Sequence, residues 1–139
     1  LPMGMGRLFK KFAGIITEHI QEHKDNDAMT EFLEPLKDAS KKLTAVTMDL
    51  SAKAMQDPEV AGAIASNYLN LFAYTALAYI WSVSAAASLG REGSFYTTKA
   101  KTARYYFQNV LPEMNGLLGV IAAGKDHMMS FTPEELESH

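Results

Sequence analysis

Apolar residues recur every three to four positions along most of this chain, and over one stretch charge disappears altogether. Leu8, Phe9, Phe12, Ile15, Ile16, His19 and Ile20 share one helical face, which predicts an amphipathic helix over roughly Gly6 to His23. Lys24-Asp25-Asn26-Asp27 is a polar break. Thr30 is a candidate cap for the next helix. Its main body is expected to begin about Pro35, because proline is tolerated near a helix start, and to end near Gln56. Within it Leu36, Leu43 and Leu50 form one heptad series, and Ala39, Val46 and Lys53 nearly form a second. Lys37, Asp38, Lys41, Lys42 and Asp49 lie off that stripe.

Between Val60 and Gly90 there is no Lys, Arg, Asp or Glu. Leu69, Leu71, Phe72, Leu77, Ile80, Trp81, Val83 and Leu89 are spread around every face of the helix this window predicts. A helix apolar all round belongs at the centre of a bundle or in a bilayer. The window is long enough to span, but Asn67 and Asn70 sit early in it and no polybasic flank follows. The remaining helices have charged outer faces, which a single-span anchor does not need. The expectation is therefore a buried helix of a water-soluble bundle without a transmembrane segment. Asn67 and Asn70 must then be hydrogen-bonded or face a wet rim.

Asp57-Pro58-Glu59 reads as the start of that third helix, with Asp57 as cap and Pro58 in the first turn, and Gly90 as its C-terminal stop. The fourth helix is expected from Phe95, capped by Ser94, with a stripe of Ala103, Phe107, Val110, Met114, Leu117 and Ile121. Pro112 predicts a kink or break inside it, and Gly124 its end. Thr132-Pro133-Glu134-Glu135 resembles one more helix start with little chain behind it. No useful β-alternation survives. The fold class is all-α: an up-and-down bundle of four long helices with a short C-terminal helix or tail, one domain over residues 1–139. Short connections favour antiparallel neighbours, and the alanines of the third helix allow close packing.

Composition narrows the chemistry. The net charge of −3 gives no electrostatic case for nucleic acid or an acidic membrane surface. With no cysteine there is no disulfide, thiolate nucleophile or zinc–thiolate site, and a cytoplasmic location without a signal peptide is expected. The chain opens on Leu1 rather than Met and is expected to be the C-terminal fragment of a longer protein.

His19-Ile20-Gln21-Glu22-His23 spells H-x-x-E-H, two imidazoles on one helix face with a carboxylate that could act as base. A catalytic zinc needs a third protein ligand, and none is indicated, so the favoured reading is a surface His and Glu at a helix C-terminus. Gly4-Met5-Gly6 lacks the third glycine and the strand of a dinucleotide loop. Carboxylate-bridged di-iron bundles require Glu-x-x-His, which is absent. Lys99, Lys101 and Arg104 beside Tyr96, Tyr105 and Tyr106 are read as a solvated helix face rather than a nucleic-acid surface. The eight methionines are read as core gap-fillers. No catalytic, cofactor-binding or metal residue is assigned.

Asn67-Tyr68-Leu69-Asn70-Leu71-Phe72-Ala73-Tyr74, then Phe95-Tyr96-Thr97-Thr98-Lys99-Ala100-Lys101-Thr102-Ala103-Arg104-Tyr105-Tyr106, then Val110-Leu111-Pro112 resembles the C-terminal extension of the large bacterial acyl-CoA dehydrogenases. In that family a YL-x-LF helix is followed by an FY-x-x-K-x-x-x-A-R-(F/Y) helix and a V-L-P turn. The opening Leu1-Pro2-Met3-Gly4-Met5-Gly6-Arg7 is similar to the family's junction with the dehydrogenase core, which makes residues 1–7 a junction segment. The resemblance is strongest from Asn67 to Pro112 and loose from Lys24 to Gln56.

The resemblance implies a parent flavoenzyme that uses FAD to oxidise an acyl-CoA thioester to the 2-enoyl-CoA, with a catalytic glutamate upstream of Leu1. The fragment alone is then inactive and binds no cofactor. It has a structural or assembly role against its own dehydrogenase core and in a homo-oligomer of the parent, while acyl-CoA binds mainly upstream. The tyrosines at positions 68, 74, 79, 96, 105 and 106 either serve such an interface or line this bundle's own core. Two alternatives stand beside this reading: a free-standing helical interaction module without activity, and a metal hydrolase using His19 and His23.

Overall fold

The computed structural model describes the backbone of residues 3–130, with side chains described for residues 6–59 and 61–123. Helix α1 spans Met3–His23, a 3₁₀ turn Asp27–Met29, α2 Thr30–Gln56, α3 Pro58–Ser88, α4 Ser94–Tyr105, a π-turn Tyr106–Val110 and α5 Glu113–Ser130. No strand occurs among the described residues. Helices α2 and α3 form the most extensive pairing. Thr47 meets Tyr68 across it, and the short link at Asp57 makes the two antiparallel. The α4–α5 rod runs back along both, because Arg104 reaches Glu31 on α2 and Tyr106 reaches Tyr74 on α3. Helix α1 closes the other side and runs parallel to α3: its Phe12 stacks on Phe72 at 4.7 Å and its His19 meets Tyr79 and Ser82 further along. The result is the expected up-and-down all-α bundle.

Burial follows the predicted stripes in α2, where Leu36, Leu43 and Leu50 are fully inside. Thr47 takes the place expected of Val46. Its hydroxyl donates to the Leu43 carbonyl at 2.7 Å, so the Tyr68 hydroxyl donates to Thr47, also at 2.7 Å. In α3 the buried seam is Ile64, Tyr68, Leu71, Thr75, Ala78, Ser82 and Ala85, spaced four and three apart. That is a helix-contact seam one residue wide. Ala78 and Ala85 are completely covered, as expected of small residues at close helix crossings.

Several boundaries differ from the expectation. Helix α2 starts at Thr30, so Pro35 lies inside it. Asn26 caps the preceding 3₁₀ turn by accepting from the Ala28 amide at 3.1 Å, and Met29 holds the cap position of α2 without a side-chain bond. The turn hands its helical backbone directly to α2. Burial of Phe32, Leu33 and Leu36 on both sides of Pro35 holds the helix through the missing amide. Helix α4 is capped by Gly93 rather than Ser94. At φ +116° the position demands glycine, and the Thr97 amide and hydroxyl both donate to the Gly93 carbonyl at 3.1 Å. Gly90, at φ +79°, ends α3 as expected. Gly124 does not end α5, which continues to Ser130; a helical glycine costs only about 1 kcal/mol. Pro112 does break the rod: the Leu111 amide reaches back five residues to Tyr106, and the helix restarts beyond. The expected helix start at Thr132 lies outside the described residues, as do Leu1 and Pro2 of the junction segment.

Candidate functional site

Three features of the sequence carried possible chemistry, and the structure separates them. The first is the imidazole pair. His19 is buried, only 7% exposed, and its Nε2 lies 2.7 Å from Ser82 Oγ on α3. Tyr79 meets its ring edge-on at 5.5 Å, and the His23 ring lies 4.8 Å away. The surface location expected for this histidine is therefore wrong. The signal for its burial was in the sequence, because His19 belongs to the apolar series of α1. Glu22 stays in solvent. Among the described residues no group of three His, Cys, Asp or Glu could hold a metal ion. Serine and imidazole at hydrogen-bond distance have the outline of a nucleophile and its base, yet Ser82 is fully covered and offers a substrate no approach.

Burial, followed by the neighbouring His23, lowers the His19 pKa from its ordinary 6.5, against a smaller opposing pull from Glu22. Above pH 6.5 the ring is neutral in both folded and unfolded chain. Below it the unfolded chain takes up a proton that the folded chain resists, so stability falls with acidification. Urea titrations from pH 7.5 downward are expected to show a midpoint that declines below about pH 6.5. The decline should shrink in His19→Gln. An unchanged slope in that variant removes His19 as the cause.

The second feature is the tyrosine-rich cationic helix. Arg104 is held by Glu31 through two bonds, Nε to Oε1 at 2.6 Å and Nη2 to Oε2 at 3.1 Å. Lys99 lies over the rings of Trp81 and Phe95, at 5.9 and 5.5 Å from their centroids. Lys101 is exposed to solvent. This is a helix face tied to its neighbours. Tyr106 is buried, with its hydroxyl donating to the Tyr74 carbonyl, and burial raises its pKa well above the usual tyrosine range. Tyr68 is buried too and its pKa is raised for the same reason, whereas Tyr105 is exposed. Tyr68 and Tyr106 thus lie in the bundle's own core, and Tyr74 and Tyr79 are partly buried against it. Met29 and Met114 fill the core as expected, but Met48 and Met55 are exposed.

The third feature is the uncharged helix itself. Its seam is dry, but the opposite side is not covered. Leu69, Leu77, Ile80 and Val83 are exposed, Ile80 by 55%, and Ala73 and Ala87 lie among them. The expectation of a helix buried all round is corrected: α3 is central by its partners and bare along its outer side. Asn70 faces solvent there and Asn67 is half-buried. Leu8 and Ile15 of α1 continue the apolar surface sideways. A groove of about 420 Å³ runs between the two helices, with Ile15, Tyr79 and Val83 below and Glu18, Glu22 and His23 at its wall. On the other side of α1 a groove of about 370 Å³ is flanked by Lys37 and Lys41. An extended apolar surface of this kind is a place for protein contact.

The family described as acetyl-CoA dehydrogenase C-terminal like matches residues 12–132. No curated protein matches the chain.

Proposed function

The chain belongs to the acetyl-CoA dehydrogenase C-terminal-like family, and on that premise we propose that it is the C-terminal helical domain of an FAD-dependent acyl-CoA dehydrogenase, with residues 1–7 as the junction to the catalytic core. The parent oxidises an acyl-CoA thioester to the 2-enoyl-CoA in the cytoplasm, and this domain serves its packing and assembly. The observation that supports an assembly role is the bare outer side of α3, where exposed Leu69, Leu77 and Ile80 do nothing for the domain's own core.

The cationic face of α4 and the α1–α3 groove do not suit a flavin. Arg104 is occupied by Glu31, Lys99 lies on aromatic rings, and the α1–α3 groove carries Glu18 and Glu22, which repel a pyrophosphate. On this reading the flavin and the catalytic glutamate belong to a preceding core, and this chain's part is packing rather than catalysis.

The test is the parent enzyme truncated before Leu1, compared with the intact enzyme. Loss of oligomeric state, flavin occupancy and turnover is expected. A truncated enzyme that keeps all three rules out the assembly role. A second reading, a free-standing helical interaction module, draws on the same exposed surface. It is the answer if the coding sequence holds no flavin-binding core before Leu1.

A further inference from the structure

The outer side of α3 has a shape and a charge pattern of its own. Its uncharged helix covers Ala61–Ser88, about 40 Å at 1.5 Å per residue, and α1 alongside adds about 30 Å of a second helix; at about 10 Å of width each, the surface is roughly 700 Å². That is within the range each partner contributes to a stable standard-sized interface. The rim carries both signs of charge rather than the basic excess a lipid-binding helix uses: Asp57 and Glu59 precede α3, Arg91 is followed by Glu92, and Arg7 and Lys11 on α1 are matched by Glu18 and Glu22.

We propose that this surface binds a second copy of the chain, with the two α3 helices antiparallel about a two-fold axis at Ala76–Leu77. A two-fold contact must be self-complementary, residue i meeting j and j meeting i. About that axis Leu77 faces Ala76, Ile80 faces Ala73, and Leu69 faces Ser84. In these three pairs a large side chain meets a small one, the arrangement that lets helices interdigitate, while Val83 faces the polar Asn70. Helix α1 supplies the direction. Arg7 and Lys11 stand at its start and Glu18 and Glu22 near its end, on the side that carries exposed Leu8 and Ile15. Among the described residues none of these four charges takes part in an ion pair. Because α1 runs parallel to α3, the antiparallel pairing brings the basic end of one α1 toward the acidic end of the other. A parallel two-fold pairing places the two α1 helices on opposite flanks and brings no such opposite charges together. The contact lies wholly on this chain and does not depend on the flavoenzyme reading.

Sedimentation of the 139-residue chain, which holds its own core, tests it apart from the parent. A dimer at micromolar concentration is expected. Ile80→Glu should dissociate it while circular dichroism remains helical. Arg7→Glu/Lys11→Glu and Glu18→Lys/Glu22→Lys should each weaken it about tenfold, a change of about 1.4 kcal/mol, and an equimolar mixture of the two should recover affinity. A monomer throughout, a dimer indifferent to Ile80→Glu, charge variants without effect, or binding to neutral phosphatidylcholine vesicles in place of self-association overturns the proposal.

Discussion

Replacing Phe32 with alanine is expected to destabilise the chain by about 3–5 kcal/mol. The side chain is fully buried in the first turn of α2. Its ring lies 5.7 Å from that of Phe107, and the Arg104 guanidinium sits over it at 5.9 Å. One residue therefore touches the π-turn of the fourth rod and supports the Arg104–Glu31 pair at the surface. It also precedes Pro35, where α2 lacks a backbone donor. Removing the ring leaves a cavity and takes the anchor from the turn that proline weakens. Urea denaturation followed by circular dichroism measures the loss. Met55→Ala, at a side chain 90% exposed, should stay within about 0.5 kcal/mol of the original. A loss below about 1 kcal/mol for Phe32→Ala means that the α2–π-turn contact does not secure the fold.

Periodicity made the bundle readable because inner and outer residues alternate with the helix. Leu36, Leu43 and Leu50 declare the inner side of α2 by themselves, and Pro112 declares the break in the fourth rod. The misread boundaries share a cause: local residues suggest a cap, while burial beyond them sets the helix end. Pro35 reads as a start until Phe32 and Leu33 are seen to be buried before it. Gly124 reads as a stop, but only a positive φ makes glycine one, and among the described residues Gly90 and Gly93 alone have it. His19 is polar by composition but apolar by position, since it sits on the inner stripe of α1. Its partner Ser82 lies on another helix, and no spacing along the chain reveals a contact between helices.

The family was legible in the tyrosine-rich motifs, whose structural reasons are now visible. Tyr68 bonds Thr47, Tyr106 bonds the backbone of α3, and Arg104 clamps α2. They are motifs of packing, which is why they identify a domain and not a reaction. The bare side of α3 was not legible, since an uncharged sequence looks the same whether its residues meet this bundle or another molecule. Composition measures how little a surface likes water; it does not measure which surface covers it.

That distinction has a direct consequence for two alanines of the same helix. Ala78→Asp is expected to abolish folding, whereas Ala73→Asp should leave the monomer folded. Ala78 is fully covered in the seam of α3. A carboxylate there loses its water with no cation to face it, and one unpaired buried charge costs several kcal/mol. That is comparable with the roughly 5–15 kcal/mol that holds a domain of this size together. Ala73 is exposed on the opposite side, where the same carboxylate keeps its hydration. The charge-free sequence of α3 thus has two origins: on the seam it is required by the fold, and on the outer side the fold does not require it. Circular dichroism and urea titration of both variants separate these. If Ala73→Asp unfolds the chain as Ala78→Asp does, the outer side of α3 belongs to the core after all and the docking surface is lost. If both fold, the seam is wetter than its burial implies. A folded Ala73→Asp that no longer pairs with itself leaves self-association as the reason the outer side carries no charge.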